Sequence, residues 1–406
     1  MRDNYLYKLI KYMKNVLHID KQLEYITDGR VNPTYKTKKS VLIVLMGFIL
    51  RLTSLNEIDR YIKTGEFDIL FAKNTKLPQV DSIRNTLKKI ELEGLRIINK
   101  SIVNKSIRNK VFANGTIDGN VVAAIDGSQI LDSKKKKCDQ CLTMNKRGIA
   151  HYTHNAAVMS IIGNAPNIAL DFEMYKAKIN VDEKDEGEFT AALRLLNRVV
   201  KEHPRLIDIV AYDALACNSV FIKECIKLGI DAIVRVKKTT NISLKEVKRI
   251  TNKTDKVLKF KEDGYDIEVY ESTFYMNDMD QPIRYIKYSK KRKDGTRIKR
   301  TQMLIITTCM NIKLESLYRI IKARWDIENK TFNNLKNNAN LSHCFIQGGN
   351  AIEAVLYLLF IASNIFQLFK LRRIRNHITI QKELVRLLVK GLYTTKRRSE
   401  MIFSSA

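Results

Sequence analysis

The sequence predicts an α/β fold: a mixed sheet with a β-rich insertion, flanked by N-terminal and C-terminal helical regions. Three features predict it. From residue 118, apolar runs of strand length alternate with helix-period segments, the pattern of a sheet covered by helices. The first 110 residues or so, and those beyond about 313, carry helical periodicity only. Two Asp-Gly steps, at 263–264 and 294–295, separate alternating runs in the manner of tight hairpins.

In chain order, Met1–Leu17 reads as a charged amphipathic helix and Ser40–Arg51 as a helix apolar nearly all round. Leu55–Lys63 is a charged helix, and Pro78 opens another through Ile83, Leu87 and Ile90. Residues 1–112 thus form a helical region, equally a DNA-binding module or a scaffold, since no helix-turn-helix signature is sharp. Gly119–Asp126 is a short strand. Asn155–Ile162 and Asn167–Tyr175 make a hairpin around Gly163-Asn164-Ala165-Pro166. An acidic lead (Asp182, Glu183, Asp185, Glu186, Glu188) enters the helix Phe189–Glu202, as the helix dipole favours. Strand Ile207–Asp213, helix Ser219–Leu228 and strand Ala232–Val236 complete the first core segment, 113–237. Val257–Phe260 with Ile267–Tyr270, and Ile283–Tyr288 with Gln302–Thr307, form the hairpins of a basic insertion, 238–302. The second core segment, 303–345, holds a long helix from Lys313 to about Asn340. Residues 346–406 are helical; Glu353, Asn364 and Gln367 within Ala351–Phe369 mark a buried core helix rather than a membrane span.

The chain of 406 residues carries 72 Lys+Arg against 43 Asp+Glu, a formal charge of +29. Residues 284–300 hold nine Lys or Arg, Lys290, Lys291, Arg292 and Lys293 among them, against Asp294 alone. Further clusters lie at Lys134–Lys137, Lys370–Arg375 and Lys396–Arg398. One such run is a solvated face; several, with this excess, make nucleic acid the expected partner ahead of an anionic membrane. Six cysteines without a secretory signal are no disulfide framework, and a cytosolic protein is expected.

Two aspartates and a glutamate stand out against this basic background. Asp126 ends an apolar run before Gly127, where a turn role competes with a carboxylate reaching into a cleft. Asp118, also followed by Gly, precedes its strand and is assigned to a turn. Asp213 ends Ile-Val-Ala-Tyr at the strand edge where α/β proteins place ligands; its competing role is a helix cap, which Asn218 and Ser219 fill more naturally. On the helix from Lys313, Leu314, Leu317, Ile321, Arg324, Glu328 and Leu335 share one face, so Arg324 and Glu328 interrupt an apolar stripe. An exposed ion pair would avoid the desolvation cost of that position. A carboxylate aimed at a metal with a phosphate-binding Arg beside it accounts for it better. Three acidic ligands suit hard divalent cations, Mg²⁺ or Mn²⁺, and two such ions serve phosphodiester displacement.

At these residues the sequence resembles the DDE transposases of bacterial insertion sequences, in particular the cut-and-paste group with a β-rich insertion between the second Asp and the Glu. Asp126 matches the first aspartate, Asp213 the second and Glu328 the glutamate. The most specific stretch is Arg324-Trp325-Asp326-Ile327-Glu328. The resemblance implies an RNase H-like core over 118 to about 345 and metal-dependent cleavage of double-stranded DNA at transposon ends, with transfer of the freed 3′ end into target DNA. It also implies a homodimer on DNA, a bacterial nucleoid-associated location, and DNA contacts from Arg324. The group's Tyr-x2-Arg-x3-Glu-x6-Lys signature is matched in part. Ile321 stands at the Tyr position with Tyr318 one turn earlier, and Leu335 at the Lys position with Lys336 one residue later, about 100° round an ideal helix. An RNase H-like nuclease without strand transfer, or a non-catalytic DNA-binding descendant, would carry much of the same sequence.

One further motif lies outside this pattern. Cys138-x2-Cys141 is followed by His151-x2-His154, four candidate zinc ligands within 17 residues. The nine-residue spacing between the pairs is shorter than in a standard finger. The preferred reading here is cysteines free in a loop and His154 starting a strand, with structural zinc the alternative.

Overall fold

The computed structural model describes residues 4–164, 166–178, 184–237, 242–276, 278–294, 297–374, 380–394 and 401–403. Ala165, Asp182, Glu183, Gly295, Arg375 and the Lys396–Arg398 cluster lie outside them. The N-terminal region folds into α1 (Tyr5–Asn15), α2 (Ile19–Leu23), α3 (Thr37–Ile49), α4 (Leu55–Lys63), α5 (Val80–Lys89) and α6 (Leu92–Arg108). The helices expected at Ser40–Arg51, at Leu55–Lys63 and after Pro78 are found within three residues of their bounds, while the sequence does not single out α2 and α6. Ser54 caps α4 by accepting from the Glu57 amide, and every residue of α3 from Ser40 to Ile49 is buried, as an all-round apolar helix requires.

A ten-stranded sheet follows. Its strands are β1 (Val122–Ser133), β2 (Leu142–Lys146), β3 (Ile149–Ile161), β4 (Ala169–Met174), β5 (Ile209–Tyr212), β6 (Asp231–Val236), β7 (Leu258–Glu262), β8 (Tyr265–Phe274), β9 (Ile283–Asp294) and β10 (Arg297–Thr307). Helices α7 (Glu188–Glu202) and α8 (Ser219–Lys227) connect the central strands, and α9 (Ile242–Thr251) leads into the insertion. The central order is β4-β3-β1-β5-β6, with β3 antiparallel to β1 and β4, and β1, β5 and β6 mutually parallel. This is the RNase H-like order. The insertion does not stand apart from it: β10 pairs antiparallel with β6, and β9, β8 and β7 continue the same sheet outward. At the β7–β8 turn Asp263 and Gly264 both have positive φ, as an Asp-Gly hairpin demands.

Two expectations are corrected here. β1 does not end at Asp126 but continues to Ser133, paired throughout with β3, and β2 joins this ribbon. The polar Gly127-Ser128-Gln129 sequence has the composition of a turn, yet it continues the strand against β3, which is backed in turn by β4 and then β2. The long helix from Lys313 is also interrupted. α10 (Leu314–Ala323) and α11 (Asn333–Ala339) are separated by a π-helical turn, Ile327–Phe332, that contains Glu328. The expected stripe survives the interruption, since Leu314, Leu317, Ile321, Arg324 and Leu335 are all buried.

Helix α12 (Ala351–Arg373) is the apolar C-terminal helix, buried against α3, α5 and α6. α13 (Gln381–Thr394) follows it and packs on α1. Asn364, fully buried, donates to Asn99 Oδ1 (2.9 Å) and the Ala169 carbonyl (2.8 Å), and accepts from the Ala169 amide (3.0 Å). Buried polar groups persist where they are satisfied in this way, and this one ties α6 and α12 to the start of β4.

Candidate active site

Register brings the two aspartates together. β1 and β5 pair in parallel as Val122↔Ile209, Ala123↔Val210 and Ala124↔Ala211. Two residues further along each chain stand Asp126 and Asp213, at the same level of strands about 4.8 Å apart. Pairing between the two strands stops at Ala124, so both side chains lie where the sheet opens. Asp213 also caps the short 3₁₀ turn Ala214–Ala216 by accepting from the Leu215 amide (2.8 Å), and Lys237 Nζ lies 3.5 Å from its other oxygen. The capping role and the strand-end position therefore coexist in one carboxylate.

Glu328 faces Asp126 across the site. Burial, with Glu328 and Glu188 adding like charge, pushes the Asp126 carboxyl up to about 7, against the opposing pull of Arg324. Carboxyls that converge in a buried place with too little opposing charge are what a divalent cation would satisfy. The turn carrying Glu328 is fixed to the β3–β4 connection. Asp326 accepts from the Gly163 amide (3.2 Å), and Lys330 Nζ donates to the Gly163 carbonyl (2.9 Å) and to Asp326 (2.8 Å). Thr331 Oγ1 lies 3.1 Å from Ser160 Oγ. π-turns recur at functional sites because the extra residue re-aims a side chain without ending the helix.

Arg324 is 4% exposed, and its Nη1 sits 3.9 Å from Asp126 Oδ1. That is an ion pair beyond hydrogen-bond reach. Both Nε and Nη1 are buried with no hydrogen-bond partner, and the guanidinium stacks 4.5 Å from the Trp325 ring. A buried guanidinium with unfilled donors is costly unless an anion completes it.

A fourth carboxylate, Glu188, was hidden in the acidic lead to α7. It accepts from Tyr212 Oη (2.9 Å), from Tyr175 and from the Gly127 amide; burial raises its pKa, and Asp213 raises it further. A Cβ at Gly127 would fall 2.2 Å from Glu188 Oε2 and 2.4 Å from Tyr175 Oη, so glycine is needed there for close approach. In the sequence the Asp126-Gly127 step offers a turn as the competing role; the glycine instead makes room for Glu188. α7 is held to β4 by Arg198 with Asp171 (2.8 Å) and Arg194 with Glu173 (2.8 Å), which sets the height of Glu188 at its N-terminus.

The other expected DNA contacts are placed unevenly. Lys290 is half-buried over the Tyr265 ring (5.3 Å), and burial lowers its pKa. Arg292 shares that ring (5.7 Å), while Lys291, on the other face of β9, lies 3.7 Å from Glu268. The side chain of Lys293 lies outside the described residues. Lys336 is exposed beside Phe332. Tyr318 is buried against Phe260 and Tyr288, a packing residue joining α10 to the insertion. Of the Cys/His motif, Cys138, Cys141 and His154 meet; His151 does not join them and contacts Asp132 (2.6 Å).

The family model of a transposase DDE domain matches residues 147–365, which include Asp213 and Glu328 and begin downstream of Asp126. No curated protein matches the chain. Among solved structures, a piggyBac transposase synaptic complex with hairpin DNA is 11% identical, with 98% of this chain and 80% of that one covered at a TM-score of 0.46. Endonuclease V from Bacillus subtilis is 12% identical, with 54% and 80% covered at 0.25. Neither superposition is close enough to carry an argument. The sequence match is: spanning more than half of the residues, it shows that the chain belongs to the transposase DDE domain family.

Proposed function

We propose that this transposase cleaves DNA at transposon ends and joins the freed 3′ end to target DNA, with Asp126, Asp213 and Glu328 as its metal-holding carboxylates. The observation that carries the reading is the common level of Asp126 and Asp213 on adjacent parallel strands, with Glu328 facing Asp126. The donor set fits the metal: hard carboxylate oxygens converge, and burial, with like charge beside it, raises the Asp126 carboxyl to about 7, a cost that a bound cation would offset. Two Mg²⁺ or Mn²⁺ ions, when bound, would activate the attacking oxygen and stabilise the leaving one. Arg324 offers Nε and Nη1 to a phosphate oxygen next to the carboxylates. Glu188, fixed by Tyr212, Tyr175 and the Gly127 amide, orients the floor of the site between Asp126 and Asp213. Exposed Lys291, Arg292, Lys336 and Lys237 supply backbone contacts to DNA. Pairing two transposon ends calls for two copies of the chain. Residues 1–112 would serve as a DNA-binding or scaffold region, and 238–302 as a basic arm along the duplex.

The test is incubation of the protein with Mg²⁺ and the DNA ends flanking its own gene. Cleavage followed by joining is the expected result. Cleavage alone would assign a nuclease, and binding without cleavage a DNA-binding protein; either overturns the proposal.

A further inference from the structure

Away from the carboxylates, one set of metal-ligating atoms converges among the described residues. Cys138 Sγ, Cys141 Sγ and His154 Nε2 form a nearly equilateral triangle with edges of 3.2, 3.2 and 3.3 Å. We propose that this triangle is a zinc site that clamps the lysine-bearing β1–β2 loop to the sheet.

The argument begins with geometry. Tetrahedral zinc, with Zn–S of about 2.3 Å and Zn–N of about 2.0–2.1 Å, separates neighbouring ligand atoms by roughly 3.5–3.8 Å. The three atoms therefore need to part by only about half an ångström to hold the ion. A disulfide would instead need the sulfurs about 2.05 Å apart and would leave the imidazole facing it without a role. Cys141 and His154 are 8% and 5% exposed, so the ligands are not solvated side chains that meet by chance. Two thiolates with an imidazole are the soft donor set that selects zinc over the hard cations suited to the carboxylates.

Local backbone supports the same reading. The Cys138 amide donates to Cys141 Sγ (3.2 Å), and the Cys141 amide to the Cys138 carbonyl (3.1 Å), closing a tight turn around the pair. An N–H donated to sulfur favours the thiolate that zinc requires. His154 lies on β3 opposite Leu131 of β1, so its ring projects from the rigid ribbon rather than from the loop.

The geometry also excludes the four-ligand set suggested by sequence spacing. His151 and His154 are three residues apart on a strand, where side chains alternate, and they point to opposite faces. His151 Nδ1 is engaged by Asp132 instead, which leaves the fourth tetrahedral position to solvent. Clamped in this way, Lys134–Lys137 would be held at a fixed height above the ribbon. Lys137 already stacks 5.7 Å from Tyr152, on the same face of β3 as His154.

The experiment is metal analysis of the full-length protein after exhaustive dialysis, with cobalt(II) exchange followed by absorption. One zinc per chain is expected, retained in His151→Ala and lost in Cys138→Ser and His154→Ala. Cobalt exchange of the unaltered protein should give a thiolate-to-cobalt charge-transfer band, a readout that needs no variant to fold. Absence of both zinc and the cobalt band would overturn the proposal. So would zinc that persists in Cys138→Ser and His154→Ala, or a Cys138–Cys141 disulfide found by mass after alkylation. Strand cleavage is not read in any arm, so failure here leaves the carboxylate proposal standing.

Discussion

Gly127 concentrates the logic of the carboxylate site in one residue. Its missing Cβ is what lets Glu188 and Tyr175 approach the strand beside Asp126. Gly127→Ala should therefore push Glu188 aside and cost at least tenfold in strand cleavage, with a loss of about 1–3 kcal/mol in denaturant unfolding for the overpacking. Wild-type cleavage in that variant would remove Glu188 from the account. Arg324 makes a second residue-level prediction. Its planar donors are buried and unfilled, so Arg324→Lys, which keeps the charge but not the fork, should fail to restore cleavage lost in Arg324→Ala. Both residues illustrate what was legible in the chain. Arg324 and Glu328 announced themselves by interrupting an apolar stripe. Glu188 did not, because an acidic residue before a helix is already explained by the helix dipole, and only the tertiary approach of Gly127 and Tyr212 separates it from Glu186.

Among the elements, those with strong periodicity matched their expectation: α4, α7 and β5 fall within a residue or two of it, and the β7–β8 hairpin turns at the expected Asp263-Gly264 although β8 runs four residues further, to Phe274. The failures have two causes. β1 beyond Asp126 and the π-turn at Ile327–Phe332 are fixed by partners elsewhere in the chain, while β2 is a polar hairpin strand closed on β3 at Arg147-Gly148, without the apolar alternation that marks a strand. β1 extends because β3 pairs with it, and the turn is held by Gly163 and Ser160. His203 offers a test at this scale, where α7 meets α6. It is 3% exposed, its Nδ1 lies 2.9 Å from Asn104 Oδ1, and burial, with Lys100 nearby, pushes its pKa down to about 4. A histidine depressed in the folded state binds its proton more readily when unfolded, so stability is intact above about pH 6.5 and falls as pH drops toward 4. Unfolding measured across that window should show up to about 3 kcal/mol of loss that His203→Gln abolishes. A variant with the same slope as the unaltered protein would place the loss elsewhere.

For the whole molecule, the sheet and the helical regions share one apolar core, and Asn364 is the polar joint between them. Asn364→Ala leaves Asn99 Oδ1 and the Ala169 amide without the bonds Asn364 makes to them and should cost about 2–4 kcal/mol in denaturant unfolding. Charge acts at this scale too. With +29 spread over the chain, binding of any duplex should weaken steeply with salt, by a slope of about −0.9 in log affinity per log salt for each phosphate neutralised. The sequence made that excess plain, but not its geometry. Lys290 and Arg292 lean on Tyr265 and Lys291 faces Glu268, so a run that reads as one uniform patch is divided between two faces of β9.

The central claim is that Asp126, Asp213 and Glu328 act together on one scissile phosphate. Its most direct test is Mg²⁺-dependent cleavage of transposon-end DNA by Asp126→Asn, Asp213→Asn and Glu328→Gln, with DNA binding followed in parallel. The account predicts that each variant binds the DNA but loses cleavage by three orders of magnitude or more, about 4 kcal/mol of transition-state stabilisation. A variant that binds and still cleaves within tenfold of the unaltered protein would contradict it.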